Sequence, residues 1–115
     1  MGRMAYVNGR YVPHRAAGVH VEDRGYQFAD GVYEVFAIKN GAIVDADRHL
    51  ARLARSLGEL RIPWPMAPKA LSAVLCRLVR LNASPAFGSL YMQVTCGVAP
   101  RNHAVPAGAK PALVA

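Results

Sequence analysis

Acidic residues are scarce in this sequence. Seven aspartates and glutamates stand against fourteen lysines and arginines in 115 residues, leaving a formal net charge of +7. A surplus of that size invites a polyanionic partner. The arginines at 3, 10, 15, 24, 48, 52, 55, 61, 77, 80 and 101 are dispersed, however, with no basic run interleaved with aromatics. A nucleic-acid partner is therefore not expected. Lysine is rarer still, and Lys39, Lys69 and Lys110 fall in strand-end, helix-start and turn contexts. None is desolvated enough for the depressed pKa an amine nucleophile needs. The two cysteines, Cys76 and Cys96, form no CxxC and join no His/Cys cluster with metal-ligand spacing, which excludes a disulfide framework and a zinc site. Both are read as reduced thiols with packing roles.

Long apolar runs are absent too, so no segment approaches a membrane span. The start, Met1-Gly2-Arg3-Met4-Ala5-Tyr6, lacks the apolar core of a secretory signal, and Tyr6 stands where myristoylation requires Ser or Thr. A cytoplasmic protein is the default. There is no phosphate-cradling glycine loop, no nucleophile elbow and no paired-carboxylate arrangement. The composition, 53% hydrophobic and 18% charged, is that of one globular domain.

What the sequence does contain is strong turn and stripe signals. Asn8-Gly9 lies between Ala5-Tyr6-Val7 and Arg10-Tyr11-Val12, and Asn40-Gly41 lies between the strand-like Gly31 to Lys39 and Ala42-Ile43-Val44. Asn-Gly suits a type I′ hairpin because both central positions need positive φ. Asp45 and Asp47 are candidate N-caps for a helix beginning near Arg48, whose stripe is Leu50, Leu53, Ala54, Leu57 and Leu60. Pro63 and Pro65 end it. Pro68 opens a second helix with a stripe of Leu71, Val74, Leu75, Leu78 and Val79. Leu90, Met92 and Val94 alternate with Tyr91, Gln93 and Thr95 as a half-buried strand. A long loop, Gly97 to Lys110, leads to an apolar strand in which the chain stops. The predicted class is α+β, a mainly antiparallel sheet with two helices. Because the chain stops within that strand, it is expected to be a fragment of a longer protein.

Candidate site residues cluster in three places. The run from Asp23 to Val35 packs aromatics, two glycines, Arg24 and three acids into the entry to a strand, which reads either as a shaped, ligand-facing turn or as a glycine-rich turn feeding the core. Within it, Tyr33 is either an anion donor or a core aromatic. Glu34 shares a face with Val32, Phe36 and Ile38, an odd place for a charge, and Arg24 is its expected partner. In the long loop, Arg101 and His103 are two residues apart, so in an extended stretch their side chains converge on one anion; the alternative is two exposed polar residues. Arg52 projects away from the leucine stripe with Arg48, Arg55 and Glu59, as a solvated helix residue would.

Together, Asp23 to Val35, Asn40-Gly41, His49-Leu50-Ala51-Arg52-Leu53, Tyr91-Met92-Gln93-Val94-Thr95 and Pro100-Arg101-Asn102-His103 resemble the N-terminal region of D-amino-acid aminotransferases. These are fold-type IV pyridoxal-phosphate enzymes, alongside branched-chain aminotransferases and aminodeoxychorismate lyase. The resemblance implies that residues 1–115 form the small N-terminal domain of an enzyme that moves the amino group of D-alanine or another D-amino acid to a 2-oxo acid. It implies pyridoxal 5′-phosphate as cofactor and a homodimer. It assigns Tyr33, Arg101 and His103 to binding the substrate carboxylate, with Arg101 and His103 reaching in from the partner subunit. Val35 then lines the side-chain pocket and Arg52 binds the cofactor phosphate. The Schiff-base lysine is expected beyond Ala115. Ala29 stands where relatives often have Gly, and Cys96 and Ala99 replace commonly polar residues before the Arg-x-His pair. The other readings are a non-catalytic remnant or dimer-interaction module and, within the family, a branched-chain aminotransferase or aminodeoxychorismate lyase.

Overall fold

A computed structural model describes residues 2–108 and 110–115. Six strands form one sheet in which every pairing is antiparallel: β1 (Met4–Val7), β2 (Arg10–Pro13), β3 (Gly31–Lys39), β4 (Ala42–Ile43), β5 (Phe87–Thr95) and β6 (Ala112–Val114). Their order across the sheet is β2-β1-β6-β5-β3-β4. Both Asn-Gly turns form as expected. Asn8 and Gly9 have φ of 46° and 96°, Asn40 and Gly41 have 50° and 74°, and each links a two-residue hairpin. The second hairpin is shorter than expected, because β4 stops at Ile43 and Val44 only donates its N–H back to the Ala37 carbonyl.

The last strand is the keystone of the sheet. β6 lies between β1 and β5, joining the first hairpin to the long β3–β5 pair. Tyr6 and Ala115 exchange both backbone hydrogen bonds, and the Asn8 side chain accepts from Leu113 N–H at 2.8 Å.

Two long helices, α2 (Ala46–Leu60) and α3 (Pro68–Leu81), sit on one side of this sheet, and a short helix α1 (Arg24–Phe28) precedes β3. The sequence reading contained only the two long ones. Five residues are too few for a periodic stripe; α1 is instead written in its ends. Asp23 caps it, accepting from Gly25 N–H, and Ala29 closes it in the left-handed region at φ 53°. Helix α2 begins at Ala46, two residues before Arg48, and Asp45 precedes it without a side-chain capping bond.

The core forms where Phe36, Met92 and Val94 on the helix-covered side of the sheet meet Leu53 and Leu57 of α2 and Leu71 and Leu75 of α3, all fully buried. Each such side chain contributes roughly 1.5–3 kcal/mol by leaving water. The predicted stripe of α2 is trimmed, since Ala54 and Leu60 are exposed. Arg61 takes φ 56°, and its N–H bonds to Gly58 while Ile62 N–H bonds to Leu57. This Schellman arrangement turns Ile62, rather than Leu60, into the core. Of the two thiols, Cys96 packs as expected but Cys76 does not: it is exposed on the outer side of α3.

Gly97 controls where the long loop leaves β5. Its φ is +86°, and a Cβ there would lie 1.9 Å from the Lys110 carbonyl oxygen. Gly97→Ala is expected to cost about 2–3 kcal/mol from backbone strain alone. Urea denaturation followed through Trp64 fluorescence measures this; an unchanged midpoint would show that the loop rearranges freely.

Candidate functional site

Alternation along β3 divides its side chains between two environments. Glu34, Phe36 and Ile38 are buried beneath the helices, whereas Tyr33 and Val35 are exposed on the opposite, open side, at 64% and 43%. Glu34 is 2% exposed, and its partners come from α2. Arg52 Nε donates to Oε2 and Nη2 to Oε1, both at 2.8 Å, in the two-pronged geometry an arginine offers a carboxylate. His49 Nδ1 lies 2.7 Å from Oε1 and donates, because an ionised carboxylate can only accept. The His49 ring leans on Phe36, with centroids 4.8 Å apart.

The partner expected for Glu34 was Arg24, and that expectation is corrected: Arg24 is engaged elsewhere. The available signal was the spacing of His49 and Arg52, one turn apart on the same helix face, next to a stray carboxylate on a buried strand face. Arg52 is likewise no freely solvated residue. Its side chain is 56% exposed, yet the Glu34 contact fixes its plane. Burial pushes the Glu34 carboxyl up, but the hydrogen bonds and positive charges of Arg52 and His49 outweigh this and hold it below the usual carboxylate range.

A second cluster joins α1 to the long loop. Arg24 is 2% exposed; its Nε donates to Asp30 Oδ2 at 2.9 Å and its Nη1 to the Asn102 carbonyl at 2.6 Å. Its guanidinium lies over the Phe28 ring, 4.5 Å from the centroid. The same ring receives Arg101 at 5.7 Å and, edge to face, His103 at 5.5 Å. The loop bends at Arg101 and His103 instead of running extended, so simple alternation does not bring them together. Phe28 does. Beneath the loop, burial first, and then the hydrogen bond and charge of Asp30, push the Cys96 thiol up to about 11. Cys96 is thus a packed, protonated thiol.

On the open side of the sheet, Tyr33 stacks against Tyr91 of β5, with ring centroids 5.8 Å apart and planes inclined by 23°. Tyr91 donates its hydroxyl to the Gln93 side chain. Tyr33, Tyr91, Gln93, Thr95, Gly25 and Ala29 line a shallow hollow of about 340 Å³. Arg101 and His103 are not among the residues lining it. Within one chain the five candidate residues therefore form three groups: Tyr33 and Val35 on the open face, Arg52 on Glu34, and Arg101 with His103 on Phe28. Among the described residues no group of His, Cys, Asp and Glu could hold a metal ion, and no helix is long and apolar enough to cross a membrane.

Comparison with known proteins gives this arrangement a family. The model for amino-transferase class IV matches residues 31–115. A D-alanine aminotransferase of Bacillus licheniformis is 44% identical over 108 residues, covering 94% of this chain and 38% of that protein. A D-alanine aminotransferase of Listeria innocua is 45% identical over 101 residues, covering 87% of this chain and 35% of that protein. Among solved structures, 4-amino-4-deoxychorismate lyase from Pseudomonas aeruginosa superposes with a TM-score of 0.74 at 32% identity, covering 96% of this chain and 37% of the lyase chain. The Escherichia coli branched-chain amino acid aminotransferase matches the fold more closely, with a TM-score of 0.89, but at 19% identity; 99% of this chain and 40% of that one are covered. This chain belongs to the class IV aminotransferases. It spans less than two fifths of the length of the D-alanine aminotransferases it matches.

Because its folded pKa is depressed, Glu34 stabilises the fold above its unfolded value of about 4.3, and this contribution fades as pH falls through the lower folded value. Glu34→Gln is expected to cost about 1–3 kcal/mol at neutral pH through loss of its charge-assisted hydrogen bonds. Denaturation midpoints of the two proteins should converge as the pH drops below about 4. A gap that stays constant down to acid pH would contradict the ionised-carboxylate assignment.

Proposed function

We propose that this chain is the N-terminal domain, residues 1–115, of a homodimeric, cytoplasmic, pyridoxal-phosphate-dependent transaminase that moves the amino group of D-alanine or another D-amino acid to a 2-oxo acid. The observation that carries this reading is the 44% identity to a D-alanine aminotransferase across 94% of the chain. A lyase activity is the second reading, favoured by the 32% identity to 4-amino-4-deoxychorismate lyase.

The Arg52 environment fits a cofactor phosphate. Glu34 occupies Nε and one edge of the guanidinium, which leaves Nη1 and the outer half of a side chain that is 56% exposed to donate to a dianion. Pyridoxal phosphate, when bound, supplies the electron sink that makes the α-proton of an amino acid removable. The residues of this chain bind and orient. Arg101 grips the substrate α-carboxylate through two parallel hydrogen bonds, and His103 and the Tyr33 hydroxyl donate to the same group. The exposed Val35 offers an apolar wall for the substrate side chain. With the carboxylate held on one side, only one hand of amino acid directs its α-hydrogen to the base. Separation of Tyr33 from the Arg101–His103 loop within one chain is what a trap assembled across two subunits requires. The amine nucleophile belongs to residues beyond Ala115, since Lys39, Lys69 and Lys110 are all exposed.

The coding sequence downstream of Ala115 should continue in frame into a lysine-bearing domain; a stop codon there would sink the intact-enzyme reading. In the complete enzyme, Arg101→Ala should raise KM for D-alanine roughly 10- to 100-fold, the loss expected for hydrogen bonds to a charged group. Steady-state kinetics checks this, and an unchanged KM refutes the role of Arg101. Turnover of aminodeoxychorismate in preference to D-alanine would select the lyase reading.

A further inference from the structure

We propose that Arg24 is a positioning residue for substrate-carboxylate binding, acting through the loop that carries Arg101 and His103; the inference rests on the carboxylate role proposed above for those two residues. Asn102 lies between them, and its carbonyl is the atom that Arg24 Nη1 holds at 2.6 Å. Fixing that peptide sets where the side chains on either side of it leave the backbone.

The rest of the geometry points the same way. Residues 100–105 are all exposed, a poor basis for a precise anion site unless the backbone is tied down. Arg24 ties it from a nearly solvent-free position, oriented by the ion pair with Asp30 and by the face of Phe28. Its backbone N–H also holds the Gly97 carbonyl at 2.9 Å, and Asp23 pairs with Val98, so α1 grips the loop at its root as well as at Asn102. Phe28 supplies the seat against which both Arg101 and His103 rest. With Asp30 neutralising it and almost no exposed surface, Arg24 is not itself an anion ligand. Its effect on substrate passes through the loop.

The test uses the complete holoenzyme and four variants: Arg24→Lys, Arg24→Met, Phe28→Leu and Arg101→Ala. Lysine keeps the charge but cannot bond Asp30 and Asn102 at once in a planar fork. Arg24→Lys, Arg24→Met and Phe28→Leu are expected to raise KM for D-alanine by roughly tenfold, the scale of one weakened charge-assisted contact. In each, kcat and the pyridoxal-phosphate dissociation constant should stay within about twofold, a split that general destabilisation would not produce. Amide hydrogen exchange at Ala104, whose N–H bonds to the Asn102 side chain, should quicken while β5 stays protected. Phe28→Leu leaves the buried ion pair intact and remains informative if the Arg24 variants fail to fold. An elevated KM in Arg101→Ala with normal KM in Phe28→Leu and the Arg24 variants overturns the positioning role alone. An unchanged KM in Arg101→Ala overturns both it and the carboxylate assignment on which it depends.

Discussion

The carboxylate of Glu34, set into the helix-covered face of β3, dictates how α2 meets the sheet. An ionised group in that position is tolerated only with charged partners in hydrogen-bonding geometry. Arg52 and His49 supply them from a single face of α2, and the leucines of the same helix bury beside them. Strand, helix and arginine are thereby locked in one register. The guanidinium that results is fixed in plane yet half open to solvent, as the proposed phosphate contact needs.

A comparable economy governs the other end of β3. Asp23 caps α1, Arg24 reaches from α1 to the long loop, and Phe28 seats the two basic side chains of that loop. The stretch from Asp23 to Val35 thus does two things in sequence: it anchors the loop that carries Arg101 and His103, then runs into a strand that presents Tyr33 and Val35 on an open face. Glycine is needed within it for packing reasons, since a Cβ on Gly25 would lie 2.2 Å from the Thr95 side chain.

The parts of this architecture visible in the sequence are those set by local rules. The Asn-Gly turns, the alternation of β3 and β5 and the leucine stripes of α2 and α3 each depend on neighbours a few residues apart. Helix α1 escaped notice because its five residues carry no period, only a cap and a left-handed exit. Pairing of Glu34 was misassigned to Arg24 because two arginines were compatible with one carboxylate, and choosing between them takes the tertiary path of α2. Alternation was the wrong reason to unite Arg101 with His103, as the loop bends there and an aromatic from α1 brings them together instead. Helical spacing makes Arg52 just another exposed arginine, and its bond to Glu34 depends on how α2 crosses β3, which no local pattern encodes.

In the proposed function, the open sheet face, the fixed arginine and the anchored loop are three parts of a binding wall, with the nucleophile outside it. Handedness is the property that such a wall would determine. The most direct measurement is amino transfer by the complete protein from D-alanine and from L-alanine to a 2-oxo acid under identical conditions. Transfer from D-alanine with little or none from L-alanine is the expected result. A preference for the L-amino acid would contradict the placement of the carboxylate at Tyr33, Arg101 and His103.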